Sequence, residues 1–246
     1  MTKVEAIKKV LEDHKGIATW KIIYDEIEKY YPYAKRAETW ESGLRGVAYR
    51  EIYNNKFFKQ IGLDKGMIAL LDYQEEKIEG IKQDAVRMHS YMEGICIEIG
   101  NFLKLKTFTA DPTATYKTLT LSDISTLPVL PQFTYPEIIN TTKRIDVLWF
   151  NEKGFQYPKR AIEVVDSIGT LEPALKRSLQ LIEFNLSFYI LCKNEHIKKV
   201  EKELSCEPYI RIKDRYKIRD YESILNIYNN PIAHSRDEFL SVKTYF

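Results

Sequence analysis

Two apolar runs, each carrying a carboxylate, constrain this chain more than any other stretch. They are Arg144-Ile145-Asp146-Val147-Leu148-Trp149-Phe150 and Arg160-Ala161-Ile162-Glu163-Val164-Val165-Asp166-Ser167. Short runs rich in β-branched and aromatic residues read as strands. Residues 151–158 between them, with Gly154, read as a hairpin loop. Asp146 and Glu163 are therefore expected close together on adjacent strands. A carboxylate in apolar surroundings is costly unless it is paired or holds a metal. Ion pairing with Arg144 or Arg160 would account for either acid alone, and a shared metal ion would account for both.

The chain has 246 residues, 44% of them hydrophobic, enough for one large domain or two smaller ones. No run of about 18 apolar residues occurs, so no membrane span is expected. Met1-Thr2-Lys3-Val4-Glu5 lacks the apolar segment of a secretion signal. Cys96, Cys192 and Cys206 form no CxxC pair, which argues against a disulfide framework or a zinc ribbon. A cytoplasmic protein is the expectation. The net charge of +2 neither requires nor excludes nucleic acid. His14, His89, His196 and His234 are scattered and offer no metal-ligand spacing.

Residues 1–72 alternate helix and strand signals. Val4, Ile7, Val10 and Leu11 recur at helical spacing up to Gly16, and Thr19 can cap a second helix carrying Ile22, Ile23 and Ile27. A third helix is expected over about 38–53, with Trp40, Leu44, Val47, Ala48 and Ile52 inward. Two short strands, 57–61 and 67–71, flank the turn Gly62-Leu63-Asp64-Lys65-Gly66. Three helices and a hairpin in this length describe a winged helix, whose third helix enters the DNA major groove. Its outward residues would be Ser42, Arg45, Tyr49 and Arg50. Residues 35–59 carry six basic and three acidic side chains, a modest basic surface. Ile17-Ala18-Thr19-Trp20, Trp40-Glu41-Ser42-Gly43-Leu44-Arg45-Gly46-Val47, Phe57-Phe58-Lys59 and Met67-Ile68-Ala69-Leu70-Leu71 together resemble the HARE-type winged helix. That module occurs fused to restriction endonucleases, and the resemblance implies DNA binding. Residues 73–80 are polar and read as a linker to a second domain, 81–246.

In that second part, Met88, Met92, Ile95, Ile99, Phe102 and Leu103 mark a helix bearing Glu93 and Glu98, with Glu98 expected on a solvated face. A strand follows, then an irregular stretch over 109–140 with Pro112, Pro128, Pro131 and Pro136, then the two carboxylate strands. Residues 171–184 read as a helix, and Ser187-Phe188-Tyr189-Ile190-Leu191-Cys192 as a buried strand. The order helix, strand, strand with Asp, strand with Glu, helix, strand resembles the PD-(D/E)xK nuclease core. His89 with Glu93, Ser122-Asp123, Ile145 to Trp149, and Glu163-Val164-Val165-Asp166-Ser167 are similar to a bacterial restriction-endonuclease-like group, with Lys176 and Ser178 at polar positions of the next helix.

The resemblance implies an α+β fold: a winged helix followed by a mixed sheet flanked by helices. It implies Mg²⁺ held by Asp146, Glu163 and a backbone carbonyl near Val164 or Val165, approached by Glu93, polarising a scissile phosphate and activating water. One position departs from the pattern. Where most such nucleases carry Lys, two residues after Glu163, this chain has Val165. Lys159, Asp166, Lys176 and Gln180 are candidates for the missing group. Without a replacement, the domain would be a non-catalytic DNA-binding or modification-sensing scaffold.

Near the C-terminus Arg211, Lys213, Arg215, Lys217 and Arg219 alternate strictly. On one strand all five would share a face, suited to a phosphate backbone or to protecting a sheet edge. The leading expectation is a Mg²⁺-dependent endonuclease acting on double-stranded DNA, of type II restriction character and dimeric as such enzymes usually are.

Overall fold

The computed structural model describes residues 1–63, 66–82 and 84–241. Asp64 and Lys65, part of the expected turn at 62–66, lie outside the described residues, as do Gln83 and residues 242–246.

The first part runs α1 (Lys3–Asp13), β1 (Ile17–Thr19), α2 (Trp20–Glu26), α3 (Trp40–Tyr53), β2 (Phe58–Ile61) and β3 (Met67–Leu70). Thr2 and Glu5 form a reciprocal cap on α1, and the Thr19 hydroxyl accepts from the Ile22 amide to start α2. The three strands form an antiparallel sheet in the order β1-β3-β2. On α3, Leu44 and Ala48 are buried, Trp40, Val47 and Ile52 are half-buried, and Ser42, Arg45, Tyr49 and Arg50 face solvent.

The second part runs α4 (Ile78–Ile81), α5 (Ala85–Phe102), β4 (Lys106–Thr109), β5 (Thr115–Tyr116), β6 (Leu119–Thr120), α6 (Leu121–Ile124) and α7 (Pro136–Thr142). It continues with β7 (Val147–Phe150), β8 (Pro158–Val165), α8 (Leu171–Leu179), β9 (Ser187–Cys192), α9 (Ile197–Glu203), β10 (Tyr216–Asp220) and α10 (Tyr221–Asn229). The five-stranded sheet has the order β10-β9-β8-β7-β4. β7 and β8 form the expected antiparallel hairpin, with Val147 opposite Ile162, while β8, β9 and β10 run parallel. Both faces of the sheet are covered. One apolar cluster joins Val147, Trp149, Ile162 and Val164 to α5, and a second joins Leu148, Ala161 and Val165 to α8. α5 lies close against the sheet because Gly100 has no side chain. A Cβ there would stand 2.6 Å from the Thr107 methyl and 2.7 Å from Trp149 Nε1.

Several expectations need correction. The stretch 109–140 is not wholly irregular: it holds the β5–β6 hairpin, α6 and α7. The helix expected to reach residue 184 ends at Leu179. At the start of the polar segment 73–80, the Tyr73 carbonyl accepts from Lys59 and its hydroxyl donates to the Lys117 carbonyl at 3.2 Å.

Glu98 is not solvated. It is 5% exposed and accepts from Tyr116 (2.6 Å), Tyr228 (3.0 Å), Lys117 (3.3 Å) and the Leu63 amide (2.9 Å). That last bond docks the end of β2 onto α5. Gly62, at φ +82°, makes the approach possible, because a Cβ there would lie 2.2 Å from the Glu98 carboxylate. The two parts accordingly share one apolar cluster, with Ile7 and Ile95 both in it.

The row of alternating basic residues is not one strand. Residues 209–215 form short 3-10 turns kinked at Ile212, and only 216–220 are extended. Arg215 turns inward and donates to the carbonyls of Ile182, Phe184 and Leu186. Arg211 pairs with Glu207, Lys213 donates to the Ser205 hydroxyl, and Lys217 and Arg219 reach Glu238 and Asp237. These local acceptors, invisible in the alternation, divide the row between different surroundings. Among the described residues no helix is long and apolar enough to cross a membrane.

Candidate metal centre

Residues four apart on a helix share a face, so His89 and Glu93 leave α5 together and meet Asp146. Asp146 stands one residue before β7 rather than within it. Its Oδ2 accepts from the Val164 amide at 2.7 Å, and its carbonyl accepts from the Ala110 amide at 3.1 Å. His89 Nε2 is 3.7 Å from Glu93 Oε1 and 3.8 Å from Asp146 Oδ2. One ligand atom from each of His89, Glu93 and Asp146 lies within 4.8 Å of the others. The expectation that no histidine has metal-ligand spacing is thus overturned: the i, i+4 pairing of His89 with Glu93 was the available signal.

Behind His89, its Nδ1 meets Asp166 Oδ2 at 2.6 Å. Asp166 is held in turn by the Tyr221 hydroxyl at 2.6 Å on Oδ1, and its carbonyl is 3.2 Å from His196 Nε2. Burial alone would lower the His89 pKa, but Asp166, Glu93 and Asp146 outweigh it and raise it to about 10. Burial raises the Glu93 carboxyl to about 7, the neighbouring His89 opposing and the Asp146 charge adding to it. Burial also raises Asp146, against the pull of His89 and the Val164 amide. Crowded buried acids with one imidazolium among them are short of positive charge.

Glu163, 2% exposed, has an unforeseen partner. Arg177 of α8 grips both its oxygens, Nε at 2.8 Å and Nη2 at 2.5 Å. Burial pushes the Glu163 carboxyl well above its ordinary range and the Arg177 fork opposes that push. Neither Arg144 nor Arg160 plays this part. Arg144 is exposed, and Arg160 donates to the carbonyls of Glu238, Phe239 and Ser241.

Of the groups considered for the role missing at Val165, only Asp166 reaches the cluster. Lys176 is exposed and pairs with Glu172 at 2.7 Å. Gln180 is exposed beyond the end of α8. Lys159 sits at the far end of β8, four residues or about 13 Å of strand from Glu163. Val165 is buried in the α8-side cluster. Arg177, next to the residue singled out on sequence, is the cation at this place.

A second feature faces α3. Arg45 and Tyr49 line a cavity of about 620 Å³ with Trp20 and Lys21 on one side and Asn101 and Asp123 on the other. The outward face of the third helix therefore borders a cleft towards α5 and α6. Arg45 donates to the Tyr24 hydroxyl at 2.5 Å and lies over the Trp20 and Tyr24 rings.

Residues 70–240 match the family model of the type II restriction enzyme NmeDI C-terminal domain. The chain belongs to that family. The match takes in the whole five-stranded sheet, the His89, Glu93 and Asp146 cluster and the Glu163–Arg177 pair. No curated protein and no solved structure matches the chain.

Proposed function

We propose that this protein is a divalent-metal-dependent endonuclease that cuts double-stranded DNA as a restriction enzyme, on a PD-(D/E)xK-type core. The observation that carries the reading is the meeting of half-buried His89 and Asp146 with buried Glu93 in a chain of a restriction-enzyme family. The donor set suits a divalent ion: two carboxylates and an imidazole converge, and the buried acids lack compensating charge. Mg²⁺ is the ion the resemblance implies, with Glu163 and the Val164 carbonyl beside it. When bound, such an ion polarises the phosphate and lowers the pKa of bound water.

The chain's own groups divide the remaining work. Asp146 and Glu93 would hold the ion through their carboxylate oxygens. Arg177 supplies the positive charge that Val165 lacks. It lies at the edge of the buried acids with its side chain partly exposed; Nε and Nη2 are taken by Glu163, which leaves Nη1 as the group to meet a phosphate oxygen. The order helix, strand, helix, helix and β-hairpin over residues 3–70 supports a winged helix of HARE type. Ser42, Arg45, Tyr49 and Arg50 are its groove-facing residues. A homodimer would bring two such sites to the two DNA strands.

A second reading has its own support. Val165 is apolar, and both Glu163 oxygens are occupied by Arg177. A DNA-binding protein with a degenerate nuclease core would look this way. Incubation with plasmid and genomic DNA in Mg²⁺ or Mn²⁺, beside Asp146→Ala, separates the two. Discrete cleavage by the wild type that disappears in the variant is expected. Binding without cleavage in either ion would instead establish the second reading.

A further inference from the structure

We propose that His89 is itself a metal ligand through Nε2, so that the centre takes first-row transition ions of the Mn²⁺ and Co²⁺ class through a nitrogen that Mg²⁺ has little use for. The inference rests on the metal-dependent reading above and specifies its cofactor.

Three observations support it. First, the ring is aimed. Asp166 fixes Nδ1 at 2.6 Å, and Asp166 is itself held by Tyr221 and His196 from two other elements. A carboxylate on the remote nitrogen is the arrangement that metal-ligating histidines carry, because it sets the ring's orientation and raises its basicity. Second, the other nitrogen faces two carboxylates. Nε2 stands 3.7 Å from Glu93 Oε1 and 3.8 Å from Asp146 Oδ2, too long for hydrogen bonds, with one nitrogen and two oxygens converging. Third, the alternative oxygen ligand is engaged. Glu163 gives both oxygens to Arg177 and also meets Asp146, and the ligand atoms that converge are those of one imidazole and two carboxylates, His89, Glu93 and Asp146. Mg²⁺ is a hard ion that prefers oxygen and keeps several waters, whereas imidazole suits transition ions.

Affinity rises along the first-row ions at almost any site, so preference for Co²⁺ alone proves nothing. The decisive quantities are direct nitrogen ligation and its dependence on His89. The metal-free full chain would be titrated calorimetrically with MgCl₂, MnCl₂ and CoCl₂ and compared with His89→Asn and Asp166→Asn. In parallel, pulsed electron paramagnetic resonance of the wild-type Mn²⁺ complex would report ¹⁴N coupling. Expected are a ¹⁴N coupling in the wild type, a loss of Mn²⁺ and Co²⁺ affinity of about 10- to 100-fold in both variants, and a smaller loss for Mg²⁺. Absence of ¹⁴N coupling in the wild type overturns the inference even if the variants fail to fold. Equal losses for all three ions in folded variants overturn it as well. Binding through oxygen alone removes His89 from the shell and leaves the metal-dependent reading standing. Failure of the wild type to bind any of the three ions defeats both.

Discussion

Asp166 joins three elements through one carboxylate: Oδ2 meets His89 Nδ1 of α5 at 2.6 Å, and Oδ1 accepts from the Tyr221 hydroxyl of α10 at 2.6 Å. A hydrogen bond to a charged group contributes about 1.5–3 kcal/mol when one partner is deleted. Tyr221→Phe keeps the ring and deletes only the bond. Urea denaturation is expected to show a loss in that range with an unchanged slope.

The His89 shift makes the metal-free protein pH-sensitive. Its folded pKa of about 10 lies above the ordinary 6.5, so its stabilisation is complete below 6.5 and is lost as pH rises through about 10. Glu93, raised from 4.5 to about 7, acts in the same direction over a lower window. Denaturation midpoints of metal-free protein should therefore fall as pH rises from 4.5 towards 10. The upper part of that fall should vanish in His89→Asn. A midpoint that rises with pH across the same window would contradict the assigned geometry.

Arg177 is the counter-charge of a carboxylate that is almost fully buried. Arg177→Ala leaves Glu163 uncompensated, and breaking such a pair from one side costs about 3–5 kcal/mol. Arg177→Lys retains charge but loses the two-pronged grip, so its loss should be smaller. Thermal melts of Arg177→Ala, Arg177→Lys and Arg177→Ala/Glu163→Gln test this. The double variant should recover much of the stability lost in Arg177→Ala, since no buried charge is stranded.

Glu98 docks the N-terminal part through the Leu63 amide and is neutralised by Lys117, each side chain about 5% exposed. Glu98→Ala leaves Lys117 with Glu75 and the Tyr228 hydroxyl and frees the β2–β3 end from α5. Limited proteolysis should then cut within residues 73–80 markedly faster than in the wild type. An unchanged digestion rate would mean that the shared apolar cluster and the Tyr73 hydrogen bonds hold the two parts together without Glu98.

Among the basic residues, Arg50 and Arg215 should behave differently. Arg50 is exposed on α3, and replacing it with Ala should weaken DNA binding and lower the salt dependence by about one charge, with stability unchanged. Arg215 caps the carbonyls of Ile182, Phe184 and Leu186. Arg215→Ala should lower the melting temperature first. Binding isotherms at several salt concentrations, alongside melts, distinguish the two.

What could be read in the sequence was whatever depends on near neighbours. The helical period from Met88 to Leu103, the β7–β8 hairpin around Gly154 and the buried run 187–192 all follow from residues within a few positions of one another. So did the two strand carboxylates and the lack of a basic residue at Val165. Partnerships across the fold were decided only in three dimensions. His89 and Asp166 are 77 residues apart, Tyr116 and Tyr228 are 112 apart, and both meetings depend on how α5 and α10 pack on the sheet. Side-chain direction mattered even at short range: Lys176 and Arg177 are neighbours, yet one helical step of about 100° turns the first to solvent and the second to Glu163. The alternating basic row failed for the same reason. Alternation specifies a face only if the backbone is extended, and the acceptors around Arg215 wound residues 209–215 into a turn. The asymmetry has a physical cause. Periodicity records which face of an element is apolar, whereas a buried charge takes its partner from whichever distant element packing brings within reach.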